Sequence, residues 1–130
     1  MIVGIGCDII NIERIEKSIN RNSFILNAYT EQEQEMSKGK VAFYADNFAV
    51  KEAVSKCFGT GFRGFGLTDI EVLRDGFGKP YVNLYGNAKE LAKKLSIDNI
   101  YVTISNTDEL SLAYAVAESG AAAAGRMEKL

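Results

Sequence analysis

The stretch Ile2-Val3-Gly4-Ile5-Gly6-Cys7-Asp8-Ile9-Ile10 decides between two architectures. It opens like the glycine loop of a dinucleotide-binding fold, in which a third glycine leads the strand into a helix. That third position is Ile9, and no strand–helix–strand continuation follows. The β-branched content predicts a plain strand instead. On a strand, Gly4, Gly6 and Asp8 share one face. Two missing side chains beside a carboxylate leave room for a helix or a ligand to come close. Asp8 itself reads either as a strand-end residue capping a turn or as part of a site.

Outward from this strand, Asn11 is a plausible N-cap for a helix from Ile12 to about Arg21. Ile12, Ile15 and Ile19 form its apolar stripe, and Arg14, Lys17 and Arg21 repeat along the opposite face. A looser segment follows, then a short polar helix with Glu31, Glu33 and Glu35 that Thr30 would cap. A longer helix is expected from Val41 to Phe58, closed by Gly59. Thr68 to Leu73 reads as a strand, Asp75 to Pro80 as a turn, and Tyr81 to Tyr85 as the returning strand. A short helix from Asn87 to Leu95 precedes a second hairpin, Ile100–Ser105 with Leu112–Glu118. The order strand, helices, hairpin, helix, hairpin predicts an α+β fold, an antiparallel sheet with packed helices. One domain is expected over 1–119, with a weakly packed tail over 120–130 that holds four consecutive alanines.

Composition narrows the chemistry. A chain of 130 residues suits one domain, and a formal charge of -2 argues against a nucleic-acid-coating surface. No apolar run is long enough for a membrane span, and the N-terminus reads as a strand with no signal-peptide character. The two cysteines, Cys7 and Cys57, match no zinc ribbon and are too few for a disulfide scaffold. Both read as small core residues of a reduced, cytoplasmic protein. Histidine is absent, which removes Ser-His-Asp and Cys-His nucleophile systems. Acid–base work would fall to carboxylates, lysines, tyrosine or water, and any metal would be a hard, oxygen-liking ion such as magnesium.

The segment Phe48-Ala49-Val50-Lys51-Glu52-Ala53-Val54-Ser55-Lys56-Cys57-Phe58-Gly59-Thr60-Gly61 is the densest in candidates. Val50, Ala53, Val54 and Cys57 make one apolar face. Glu52 and Lys56 share another, on which Ala45 and Ala49 would let a large group lie against the helix. Glu52 and Lys56 also suit an ordinary surface pair worth about 0.3–0.5 kcal/mol. Gly59-Thr60-Gly61 could fold its backbone round a phosphate near Lys56, or be a plain cap and turn. The Arg14, Lys17 and Arg21 stripe is either a solvated face or a docking ridge for an acidic partner.

Together these pieces resemble holo-acyl-carrier-protein synthase, the small class of 4'-phosphopantetheinyl transferase. The resemblance runs from Ile2 to about Glu118. It rests on Gly4-Ile5-Gly6-Cys7-Asp8-Ile9, Arg14-Ile15, Phe48-Ala49-Val50-Lys51-Glu52-Ala53, Lys56 with Gly59-Thr60-Gly61, Gly78-Lys79-Pro80 and Thr103-Ile104-Ser105. It implies transfer of 4'-phosphopantetheine from coenzyme A to a serine of apo acyl carrier protein, in fatty acid biosynthesis. It implies a homotrimer with coenzyme A clefts between neighbours and magnesium held by Asp8 and Glu52. The same resemblance makes Asp8, Glu52 and Lys56 the catalytic set, with Glu52 removing the serine proton directly or through a magnesium-bound water and Lys56 at the pyrophosphate. Lys56, Gly59, Thr60, Gly61, Pro80, Ser105 and Asn106 become coenzyme contacts, and Arg14, Lys17 and Arg21 meet the carrier protein. Two positions depart from the pattern. Asn106 stands where relatives place histidine, and Asn47 where arginine is frequent, which implies less positive charge near the coenzyme phosphates. The alternative reading is a coenzyme-binding or carrier-docking module of the same fold with weak or no catalysis.

Overall fold

A computed structural model describes residues 1–120. Of the weakly packed tail expected over 120–130, residues 121–130 lie outside the described residues. The fold is α+β. A three-stranded antiparallel sheet, in the order β1 (Ile2–Asn11), β5 (Leu110–Glu118), β4 (Asn99–Asn106), packs one face on the long helix α4 (Val41–Cys57). The hairpin β2 (Ile70–Arg74) and β3 (Pro80–Leu84) forms a second small sheet, and α5 (Gly86–Lys94) follows it.

The glycines of β1 explain how closely α4 lies. A Cβ on Gly6 would sit 1.9 Å from the Ala53 carbonyl oxygen, and one on Gly4 would sit 2.1 Å from that of Cys57. Only hydrogen fits where the helix backbone crosses the strand. Under this crossing Ala49, Val50, Ala53, Val54, Ala113, Ala115 and Ala117 are fully buried, small residues matched to a short sheet–helix distance. Burial of that area at roughly 25 cal/mol per Å² is what holds the layers together. Ala45 and Ala49, expected to line an open helix face, are buried because the sheet and α1 cover them. Cys57 is buried as expected, but Cys7 is exposed, since it points to the outer face of β1.

Three local expectations shift. The first helix, α1 (Ile12–Ile19), is capped by the Asn11 side chain, which accepts from Glu13 N at 3.0 Å, and it ends before Arg21. Arg21 adopts extended backbone, and the segment expected to be loose is a helix, α2 (Asn22–Ala28). Its Phe24 packs edge-on against Tyr29, with centroids 5.9 Å apart, and against Phe48 at 6.0 Å. Tertiary packing therefore overrides weak local propensity. α3 (Glu31–Ser37) carries the Thr30–Glu33 capping box. The strand expected from Thr68 starts at Ile70, because Asp69 accepts from Gly66 N at 3.3 Å and closes a 3₁₀ turn over Leu67–Asp69. Among the described residues no helix is long and apolar enough to cross a membrane.

Candidate active site

Period-two alternation places Asp8 on the inner face of β1, in a cross-strand row with Ala113 and Ile104. Because Gly6 has no side chain, the last turns of α4 bring Lys56 over the strand. Its Nζ donates to the Cys7 carbonyl at 2.8 Å and to Asp8 Oδ1 at 3.2 Å. The Asp8 side chain is 19% exposed and that of Lys56 52%. Glu52 lies one helical turn before Lys56 and is half-buried. Burial first, then the charge of Asp8, hold its carboxyl above the usual carboxylate range, partly offset by Lys56. The simple surface pair of Glu52 with Lys56 is not what the fold makes; the ion pair of Lys56 is with Asp8.

Asp8 and Glu52 open into one pocket. Arg14 and Ser18 of α1 stand at its rim, and Phe24 and Phe48 form an apolar wall. The wall lowers the local dielectric, so charges inside count for more than at an open surface. Asp8 and Glu52 are the two hard oxygen donors here that could hold a cation, and Asp8 is already paired with the Lys56 ammonium. No group of three or more His, Cys, Asp or Glu occurs among the described residues. A two-carboxylate site matches magnesium, which keeps waters and completes its shell with substrate phosphate.

Gly59-Thr60-Gly61 leaves α4 directly after this group, with φ of +76° at Gly59 and +64° at Gly61. Nothing would touch a Cβ at either glycine, so positive φ is what requires glycine there. The far end of this loop is held by two contacts the sequence did not suggest. Asn87 Nδ2 donates to Gly64 O at 2.8 Å, and Lys51 Nζ donates to Leu67 O at 2.9 Å.

Lys51 is fully buried and paired with the equally buried Glu33 at 2.8 Å. It also donates to Ile70 O. Asn47 is buried too, donating to Glu33 Oε2 at 2.8 Å and Val72 O at 2.9 Å. It accepts from Arg74 at 2.8 Å. Its amide thus faces the core and not an open phosphate site, and β2 supplies a guanidinium beside it. Asn47 and Lys51, one helical turn apart on the same face of α4, were the available signal for this network.

The other expected residues lie apart from the Asp8–Glu52–Lys56 group within one chain. Ser105 is exposed on the outer face of the sheet, in a row with Leu112 and Ile9. Asn106 is also exposed and donates to the Asp46 carboxylate at 3.0 Å, with Ser111 donating to the same group at 2.6 Å. Pro80 opens β3 after a turn in which Asp75 Oδ1 accepts from Phe77 N and Lys79 N. Lys17 pairs with Glu13 at 3.5 Å in the exposed helix face, and Arg21 is exposed at the start of α2.

Residues 4–115 match the model of the 4'-phosphopantetheinyl transferase superfamily. The chain belongs to that superfamily. It is 54% identical over 118 residues to the holo-[acyl-carrier-protein] synthase of Lachnoclostridium phytofermentans, covering 91% of this chain and 97% of that one. A solved acyl carrier protein synthase of Plasmodium yoelii with ADP bound superposes with a TM-score of 0.84 at 33% identity, covering 93% and 98% of the two chains. A holo-(acyl-carrier-protein) synthase of Bacillus anthracis in complex with CoA (3',5'-ADP) gives 0.77 at 36% identity, covering 92% and 99%.

Proposed function

We propose that this transferase moves the 4'-phosphopantetheine arm of coenzyme A to a serine of apo acyl carrier protein, as a cytoplasmic step of fatty acid biosynthesis. The observation that carries the reading is that Asp8 and Glu52 line one pocket together with Arg14, while Lys56 pairs with Asp8 beside it. The serine oxygen attacks the β-phosphorus of coenzyme A, the bond from that phosphorus to the bridging oxygen breaks, and 3',5'-ADP leaves. Such a transfer needs in-line positioning and charge neutralisation more than covalent help.

Glu52, half-buried beside Asp8, takes the serine proton directly or through an intervening water. Lys56 stands where charge grows on the leaving phosphate. Asp8 and Glu52 would hold magnesium, which when bound supplies charge neutralisation at the pyrophosphate. Gly59, Thr60 and Gly61 present backbone to the coenzyme, and Arg14, Lys17 and Arg21 give an acidic carrier helix a docking face.

The outer sheet face supports the homotrimer. Ile5, Ile9, Tyr101, Leu112 and Tyr114 are all exposed on it, a contiguous apolar surface of the kind monomers rarely leave open. Ser105 lies on that same face, so it is assigned to a coenzyme cleft completed by a neighbour; Pro80 and Asn106 are assigned to the cleft on the family resemblance.

The test is mass spectrometry of apo acyl carrier protein incubated with the full chain, coenzyme A and magnesium. The carrier should gain one phosphopantetheine. Glu52→Gln should remain folded and lose at least about 100-fold in rate. Near-normal turnover by Glu52→Gln refutes the mechanism. Coenzyme binding with no carrier modification by the unaltered chain would favour the non-catalytic module.

A further inference from the structure

Lys56 occupies a defined position in the coenzyme-free chain. Its stem crosses β1 where Gly6 leaves space, with Lys56 Cβ only 2.9 Å from where a Gly6 Cβ would be. Its ammonium is then held at two points, the Cys7 carbonyl at 2.8 Å and Asp8 Oδ1 at 3.2 Å. The carbonyl contact gives the ammonium a second partner on the same strand. Asp8 is the more buried partner, so it has few other routes to a counter-charge. Glu52 faces the same space and feels both groups.

Three charges therefore share one small volume, and a divalent cation on Asp8 must meet an ammonium that already uses one of its oxygens. Two cations cannot share that carboxylate without repulsion across a partly desolvated pocket. A phosphate arriving at the Gly59–Gly61 loop, which starts three residues beyond Lys56, offers the ammonium another partner. Charge-assisted bonds to phosphate are strong, and lysine approaches as a mobile point charge.

We infer that Lys56 is a tethered counter-ion that closes Asp8 to metal until the coenzyme phosphates draw it away, so that metal and coenzyme bind with positive cooperativity. This inference rests on the reading of Asp8 and Glu52 as the metal-holding pair. By linkage, whatever factor the coenzyme adds to metal affinity, the metal adds to coenzyme affinity.

Manganese, a hard divalent ion that reports free and bound fractions by electron paramagnetic resonance, is the probe. It is titrated into the full chain with and without coenzyme A. The unaltered chain should bind Mn²⁺ weakly alone and at least about tenfold more tightly with coenzyme A. Lys56→Met should bind Mn²⁺ at least about tenfold more tightly than the unaltered chain without coenzyme, and the gain that coenzyme adds should shrink by a similar factor. Lys56→Gln, which keeps a donor for the Cys7 carbonyl but no charge, should behave likewise. Arg14→Gln removes a charge at the rim of the same pocket without a bond to Asp8, and should change coenzyme-free Mn²⁺ affinity by less than about threefold. Overturning results are an unchanged affinity in both Lys56 variants, or an equal gain in Arg14→Gln, which would make the effect one of net charge. Mn²⁺ bound with coenzyme but indifferent to Lys56 defeats this inference alone. No Mn²⁺ binding in either state defeats the metal reading with it.

Discussion

Gly6→Ala tests whether the contact between β1 and α4 sets the active site. The added Cβ would lie 1.9 Å from the Ala53 carbonyl oxygen, 2.9 Å from its carbon and 2.9 Å from Lys56 Cβ. Contacts below 3.0 Å are essentially never seen for real Cβ atoms, so strand and helix must part by at least about 1 Å. Two of the three close atoms are helix backbone, which cannot turn aside as a side chain can. Overpacking of this kind costs about 1–3 kcal/mol, occasionally more. The melting temperature at fixed protein concentration should fall by roughly 5–15 °C.

The same displacement carries Asp8 away from Glu52 and Lys56, and a misplacement of about 1 Å can cost on the order of 100-fold in rate. Carrier modification should therefore drop by about that factor at temperatures where circular dichroism shows the variant folded. Gly76→Ala is the control, since nothing lies within 4 Å of its Cβ position. A Gly6→Ala protein that melts normally refutes the packing account. One that melts early yet turns over within about threefold of normal refutes the claim that this spacing positions the site.

Arg14→Glu should slow carrier modification several-fold at low salt and leave the coenzyme KM near its starting value, with the difference shrinking as salt rises; initial rates at two ionic strengths decide it. Lys51→Met leaves Glu33 buried without its cation and should destabilise the fold by about 3–5 kcal/mol in denaturant titration, part of which Glu33→Gln in the same chain restores. Burial pushes the Cys57 thiol up to about 11, so iodoacetamide at pH 8 should leave it unmodified in native protein. If the outer sheet face forms the proposed trimer interface, Cys7, which is exposed on it, should be alkylated only on dilution to monomers; rapid labelling at high concentration argues against that face as the interface.

Much of the fold was legible because local rules and packing agree. The glycine–glycine–aspartate face of β1, the Thr30 capping box and both hairpins are each encoded within a few residues. What escaped was encoded across long separations. The α2 helix depends on Phe24 finding Tyr29 and Phe48. The buried Lys51–Glu33 pair joins residues 18 apart through two helices, so Glu33 reads locally as one more solvated glutamate. Lys56 is the instructive case. Helical spacing offers Glu52 as its partner, whereas its actual partner Asp8 is 48 residues away on another element. The choice between the two is made by neither charge nor propensity, since both carboxylates are available. It is made by how closely α4 can cross β1, and that distance is set by the absent side chains of Gly4 and Gly6. A residue with no side chain thus decides which carboxylate the lysine meets, and so separates a helix-surface ion pair from a three-charge site.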